Sequence, residues 1–155
     1  MTAPDTTDLF RIVYRSRSAI PGDAEAVRQA VAALAAASRG RNAEVSVTGA
    51  MLFAAPHVVQ ALEGPAAAVE AVFDRICCDL RHAGIEVVES GPVLERAFGA
   101  GALSHLVPDA ADGASLARLE NGIEPADAAV AAMKLMLALL QLAEADRTAP
   151  QRPAA

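Results

Sequence analysis

Three polar side chains, a glutamine, a tyrosine and an asparagine, have the types and spacing that suit hydrogen-bond chemistry. The stretch VVQALEG (58–64) alternates between two faces as a strand does, which places Gln60 on a face of apolar residues. Tyr14, the only tyrosine, lies on the apolar side of the alternating stretch LFRIVYRS, and Asn42 ends the polar stretch SRGRN. Burying a primary amide without partners costs roughly 1–3 kcal/mol. A protein group or a ligand is therefore expected to bond to Gln60.

The elements that position these side chains follow from the hydrophobic pattern. It predicts a strand at 9–16, a helix from the N-cap Asp23 to Ser38, a polar loop at 38–42, strands at 45–55 and 57–64, and a helix from Gly64-Pro65. Further strands are predicted at 84–90 and 92–96, divided by Gly-Pro, and at 101–107. This order predicts an α+β fold, a ferredoxin-like β-α-β-β-α-β-β mixed sheet with two helices on one face. Its first and third strands are neighbours, which brings Tyr14 and Gln60 within reach of each other.

The other face of the sheet needs a cover, and residues 112–147 are predicted to be a C-terminal helical extension that supplies it. A short helix is expected at 115–120 and a longer one from Pro125. The longer helix has two apolar stripes, Ala126, Val130, Met133, Leu137 and Leu140 in one and Leu135, Met136, Leu139 and Leu142 in the other. One stripe can cover the sheet, while the other favours a homo-oligomer through the C-terminal helices. The tail at 148–155 is predicted to be disordered.

Composition and charge exclude several classes of function. The chain has 155 residues, 54% of them hydrophobic, a net charge of −6 and a pI near 5.0, which disfavours nucleic acid and anionic membranes as partners. The longest apolar run, 128–143, is shorter than the about 20 residues of a membrane span. Adjacent Cys77 and Cys78 fit reduced packing residues and make no metal site. With no signal peptide visible in MTAPDTTD, a cytoplasmic protein is expected.

Four segments together resemble the BLUF domain, a blue-light sensor that uses FAD. They are VYRS (13–16), SRGRNAEVSVTGAMLF (38–53), VVQALEGP (58–65) and CDLRH (78–82), in the order and spacing of that family. The resemblance defines a flavin-binding domain over residues 8–107 and implies the same ferredoxin-like fold. It also implies that FAD, or else FMN or riboflavin in the same pocket, lies with its ring between the two helices.

The resemblance assigns roles to individual residues. Tyr14 would give up an electron and a proton on excitation, and Gln60 would bridge Tyr14 and the flavin N5/O4 edge and change its hydrogen bonds. Asn42 would bind the O4/N3 edge of the flavin and Arg41 the O2 side. The remaining cofactor-binding candidates are Ser16 and Ser38 as polar neighbours, and Asp79, Arg81 and His82 near the ribityl and phosphate end.

The chain departs from the family at its fifth strand. In FGAGALSHL (98–106), Gly101 stands at the place of a common tryptophan and Leu103 at that of a methionine, which makes Leu103 the candidate for signal relay. Nothing after residue 107 is long enough for a cyclase or phosphodiesterase, so output is expected through a separate partner protein or an oligomer change. The flavin would be a chromophore, without enzymatic turnover.

Two alternatives to a photoreceptor remain. One is a flavin-free BLUF-like module for protein interaction. The other is an acylphosphatase-like hydrolase, which is disfavoured because RSRSAIPG (15–22) lacks the glycine pattern of a phosphate-binding loop.

Overall fold

One five-stranded sheet organises the part of the chain that the computed structural model describes, residues 8–54, 56–98, 104–106 and 125–148. The elements are β1 (Leu9–Ser18), α1 (Ala24–Glu44), β2 (Thr48–Ala54), β3 (His57–Pro65), α2 (Ala66–Cys77), β4 (His82–Val93), β5 (Ser104–Leu106) and α3 (Pro125–Thr148). The strand order is β4-β1-β3-β2-β5, and all neighbours are antiparallel except β5, which runs parallel to β2. The predicted ferredoxin-like α+β fold is confirmed.

The sheet has two different covered faces because successive strand residues point to opposite sides. On one face, Ile12 and Leu62 pack with Val69 and Val72 of α2, and the neighbouring strands pack with α1. On the other face, Val13 shares an apolar cluster with residues of β2 and β3 and with α3. Helices α1 and α2 therefore cover one side, and α3 covers the other, as predicted.

Helix α1 is longer than its sequence suggested, because SRGRN at 38–42 is helical and the predicted loop there is wrong. Asp23 starts the helix by accepting a hydrogen bond from the Ala26 amide at 2.8 Å. The buried face runs Val27, Val31, Ala35 and Asn42, with Ser38 half-buried between the last two. This spacing keeps polar Ser38 and Asn42 on the same side as the apolar residues, so burial continues the helix through a polar stretch.

Of the strand boundaries that differ from the prediction, those of β2 and β4 have an identifiable physical reason. Strand β2 begins at Thr48 rather than residue 45, because the chain leaves α1 through a turn in which Ser46 has a φ of 60°. Strand β4 continues through Gly91-Pro92, where a break was predicted. It lies at the edge of the sheet, where a proline, which cannot donate to a neighbouring strand, is tolerated.

The C-terminal helix covers the sheet with a face of small residues. Ala128, Ala129, Ala132 and Met136 of α3 are buried, and Met133, Leu135, Leu137 and Leu139 pack against them partly exposed. Val130, from the first predicted stripe, is 56% exposed and points away from the sheet. The predicted helix at 115–120 and the tail beyond Thr148 lie outside the described residues. No helix within the described ranges is long and apolar enough to cross a membrane.

Candidate functional site

Tyr14 and Gln60 face each other across the two central strands. They are directly paired in the β1–β3 register, and the Tyr14 hydroxyl donates a hydrogen bond to Oε1 of Gln60. Tyr14 is fully buried and Gln60 is buried. Burial raises the pKa of the Tyr14 phenol far above its ordinary value, and nearby Cys77 and Asp79 add to the effect. The phenol is therefore neutral and available as a donor, and the buried amide has the protein partner that its position requires.

The backbone at Tyr14 is irregular on its other side. The register between β1 and β4 shifts between Val13 and Tyr14, so that Tyr14 pairs with Val87 while Val13 pairs with Glu89. Irregularities of this kind often occur beside functional sites, where they re-aim a side chain. Here the shift lies at the residue that carries the phenol.

Two rings pack on Tyr14 and define its surroundings. Phe73 of α2 lies at a centroid distance of 5.6 Å, and His82 stands edge-on at 6.2 Å. Nδ1 of His82 is 3.0 Å from the Ser16 hydroxyl on β1. Burial lowers the pKa of His82, and the Arg81 charge lowers it further while Asp79 opposes both. A neutral imidazole is thus favoured beside the phenol.

A cavity of about 360 Å³ opens between α1 and α2 above the sheet, within the size range of ligand pockets. Its apolar walls come from Ile20, Val31, Leu34, Val58, Val72 and Ile76. Among the predicted site residues, it is lined by Ser38, Arg41, Asn42, Gln60, Asp79, Arg81 and His82. Gln60 therefore lies between the cavity and Tyr14, and can touch a ligand on one side and the phenol on the other.

The polar side chains from α1 reach the cavity because of the helix extension. Ser38 and Asn42 are one turn apart on its buried face, and Arg41 lines the cavity from an exposed position. The Asn42 carbonyl accepts hydrogen bonds from the amides of Val45 and Val47, at 3.2 and 2.9 Å, where the chain turns into β2. Those bonds hold the Asn42 backbone in place beside the cavity.

The charged side chains that line the cavity are mostly positive. Among the described residues that line it, Arg41, Arg75 and Arg81 face a single carboxylate, Asp79. Arg81 holds that carboxylate with Nε 2.8 Å from Oδ1 and an amino group 2.5 Å from Oδ2. This hydrogen-bonded pair lowers the pKa of Asp79 to about 2. The excess of arginine suits a phosphate-bearing ligand.

Other sequence predictions meet mixed outcomes. Ser16 is not among the residues that line the cavity, and its hydroxyl contacts His82, which is. Leu103 lies outside the described residues. Cys77 and Cys78 are free and exposed, so the packing role expected for them is wrong. No group of residues able to hold a metal ion occurs within the described segments.

Met51 and Arg75 are among the cavity-lining residues that the sequence did not identify. Met51 pairs with Gln60 in the β2–β3 register, a neighbour that the hairpin pattern could have predicted. Arg75 follows the buried Val72 on α2, and only the docking of that helix brings it to the cavity.

The donor set and shape of the cavity fit a flavin. A flat aromatic ring needs apolar walls, and its heteroatom edge needs groups that both donate and accept, which the amides of Asn42 and Gln60 provide. The arginines of the lining suit the phosphates of a dinucleotide.

Comparisons with known proteins agree with this fit. A sequence model of the family described as "BLUF: Sensors of blue-light using FAD" matches residues 9–103. The photoactivated adenylate cyclase subunit beta of Euglena gracilis is 30% identical over 95 residues, which are 61% of this chain and 11% of that protein. The blue light- and temperature-regulated antirepressor BluF of Escherichia coli (strain K12) is 35% identical over 91 residues, 59% of this chain and 22% of that protein. The chain thus matches only a small part of these relatives.

Solved structures show the same architecture. The dark-state structure of BlrB, a BLUF protein, superposes with a TM-score of 0.70 at 28% identity and covers 85% of this chain and 97% of that one. The photo-activated state of BlsA superposes with a TM-score of 0.68 at 18% identity, which concerns the fold alone. Nearly all of BlrB superposes on this chain, and the superposed part of this chain is longer than the 9–103 segment that matches the family model.

Proposed function

The chain belongs to the BLUF family, the sensors of blue light using FAD, and from this membership we propose that light rearranges the hydrogen bond between Tyr14 and Gln60. The observation that supports this proposal is the buried contact itself. Gln60 accepts from the Tyr14 hydroxyl and also lines the cavity that suits the flavin. A change in the amide is thus transmitted to both neighbours.

A primary amide suits such a switch because its two ends are opposite in hydrogen-bonding character and similar in shape. With Oε1 toward Tyr14, Gln60 accepts the phenol proton. Rotation of the amide, or a change of its tautomer, presents a donor to the phenol oxygen instead, with almost no change of volume. The neutral phenol can accept as well as donate, so the pair remains bonded in both arrangements.

The cofactor would supply light absorption and an electron acceptor, and the residues of the chain would bind it, orient it and form the hydrogen bonds that change. Asn42 and Gln60 orient the heteroatom edge of the ring, with Arg41 on the O2 side. Arg75 and Arg81 attract the phosphates, and Ser38 and His82 add polar contacts along the wall. Ser16 orients His82. Because the flavin returns to its starting state, the chain has no turnover chemistry in this proposal.

Output in this proposal passes to a separate partner protein or through a change in self-assembly. Helix α3 packs on the sheet face opposite the cavity, so it is placed to report a change in β1 or β3. Its exposed Val130 lies beside partly exposed Met133 and Leu137, an apolar margin that suits a second copy of the helix. We infer a homo-oligomer through these helices.

An absorption spectrum before and after blue light tests the proposed function. The FAD-loaded protein is expected to show a reversible red shift of its flavin band. Tyr14→Phe removes the donor and Gln60→Met removes the amide, so each is expected to abolish the shift while FAD stays bound.

Gln29→Met is the matched control, because it makes the same change at an exposed amide of α1, which bonds to Glu25. It is expected to keep the full red shift. A red shift that persists in Tyr14→Phe contradicts the proposed rearrangement. A preparation that stays colourless with added FAD supports the flavin-free interaction module instead.

A further inference from the structure

A buried carboxylate on β3 is not used by the proposed flavin chemistry. Glu63 is three residues after Gln60, on the opposite face of the strand, and it is completely buried. Arg11 of β1 contacts its Oε2 through Nε at 2.8 Å and an amino group at 2.7 Å. A buried charge is retained only where it is paired and hydrogen-bonded, so its remaining partners indicate what it holds.

Those partners are backbone amides of the segment after β4. The amide of Ala97 donates to Oε2 of Glu63 at 3.1 Å, and that of Phe98 donates to Oε1 at 2.8 Å. Arg96 binds the same segment to the same end of the β2–β3 hairpin, where Thr48 pairs with Glu63. It donates to the Thr48 hydroxyl at 2.7 Å and to the carbonyls of Ser46 and Glu63, at 2.8 and 3.2 Å.

The held segment places an aromatic ring beneath α3. Phe98 is 1% exposed and belongs to the apolar cluster that contains Ala129, Ala132 and Met136 of that helix. Alanine buries little area, so large side chains such as Phe98 contribute much of the packing at this contact. The docking of α3 thus depends on a ring whose position is set by hydrogen bonds to Glu63.

We propose that Glu63 is a latch that couples β3 to α3: its carboxylate holds the amides of Ala97 and Phe98, and Phe98 holds the helix against the sheet. The proposal rests on the proposed function in one respect, namely that light acts on Gln60 of the same strand. A displacement of β3 moves the carboxylate, and the segment that it holds moves with it. Glu63 is a positioning residue and touches neither the phenol nor the cavity.

Hydrogen exchange in the dark tests the latch without any light response. Glu63→Gln keeps the shape of the side chain but removes its charge. It also replaces one acceptor oxygen by an amino group, which cannot accept the hydrogen bonds that Glu63 receives. Amides of α3 are expected to exchange roughly tenfold faster than in the wild type, a larger acceleration than in β1 and β3, where only Arg11 loses its charged partner. Glu86→Gln is the matched control, because Glu86 pairs with Arg15 near the surface at 3.0 Å, and it is expected to leave α3 unchanged.

An α3 that exchanges at the wild-type rate in Glu63→Gln overturns the latch. Equal acceleration in every element also overturns it, because the carboxylate would then support only overall stability. Should Glu63→Gln fail to fold, Arg96→Gln loosens the same segment without leaving an unpaired buried charge. It is expected to accelerate α3 selectively, and unchanged exchange in this variant also overturns the latch.

Illumination of the FAD-loaded protein tests the coupling separately. The wild type is expected to show the red shift together with changed exchange in α3, and Glu63→Gln the red shift with most of the change in α3 lost. A light-dependent change of wild-type size in Glu63→Gln overturns the coupling. Failure of the proposed function has a different signature, a wild type without a red shift, while the dark comparison still decides whether the latch exists.

Discussion

At the scale of single residues, burial determines which protonation states the site can use. Tyr14 is held neutral by desolvation, so it donates a hydrogen bond to Gln60. His82, at the edge of the same ring, is held toward its neutral form by the same cause. The two groups next to the cavity therefore carry no charge near neutral pH, while the charged pair of Asp79 and Arg81 stays nearer to solvent.

The lowered pKa of His82 predicts how stability depends on pH. Below the ordinary value of 6.5, the unfolded chain binds a proton at this residue more readily than the native protein does. The free energy of unfolding is therefore expected to fall as the pH drops from 7 to about 5. His82→Gln is expected to flatten this dependence in urea titrations of the FAD-loaded protein at several pH values.

The carboxylate beside His82 acts in a different pH window. The pKa of Asp79 is lowered to about 2, so its contribution to stability is present above its ordinary value of 3.8 and is lost as the pH falls toward 2. Asp79→Asn removes this contribution, so the free energy of unfolding is expected to fall less steeply with pH below about 4 than in the wild type. For His82, a His82→Gln protein whose free energy of unfolding depends on pH between 7 and 5 as strongly as that of the wild type would contradict the role given to this histidine.

At the scale of elements, two glycines occupy opposite environments. Gly49 lies in β2, where an added Cβ would be 1.9 Å from the carbonyl oxygen of Ala61 on β3. Gly40 lies in the exposed part of α1, where an added Cβ would meet no atom within 4 Å. At Gly49 a side chain would collide with backbone atoms of β3, which cannot move aside. At Gly40 there is room for a side chain, and the glycine itself is unfavourable because it lowers helix propensity.

Alanine at these two glycines is expected to act in opposite directions. Gly49→Ala forces β2 away from β3 and is expected to destabilise the fold by roughly 3 kcal/mol. Gly40→Ala is expected to stabilise it by about 1 kcal/mol, because alanine is the better helix former. Chemical denaturation measures both. Destabilisation by Gly40→Ala would contradict the helical extension through SRGRN.

At the scale of the whole molecule, α3 presents different faces to the sheet and to solvent. Its small residues and Met136 are buried, and Val130 is exposed between Asp127 and Lys134. An exposed valine flanked by partly exposed Met133 and Leu137 gives the helix an apolar margin that a second copy can cover. Helix α3 would then serve both the assembly of the protein and the output of the light signal.

Substitution of Val130 tests this assembly. Val130→Glu places a charge at the proposed contact and is expected to shift the protein toward monomer in light scattering at equal concentration. Ala131→Glu adds the same charge at an adjacent exposed position, on the other side of the outward face, and is expected to assemble as the wild type does. The same mass for Val130→Glu and the wild type would exclude this face as the contact.

The local pattern determined the order of elements, the fold class and the pairing of Tyr14 with Gln60. Strand alternation and helix periodicity are properties of neighbouring residues, and the ferredoxin-like topology then makes β1 and β3 adjacent. Tertiary structure alone decided that SRGRN continues α1, that Arg75 reaches the cavity and that Val130 faces solvent. Packing between distant segments outweighs local propensity at such places. The bonds from Glu63 to Ala97 and Phe98 are of the same kind, because 34 and 35 residues separate the partners and only the docked segment brings them together.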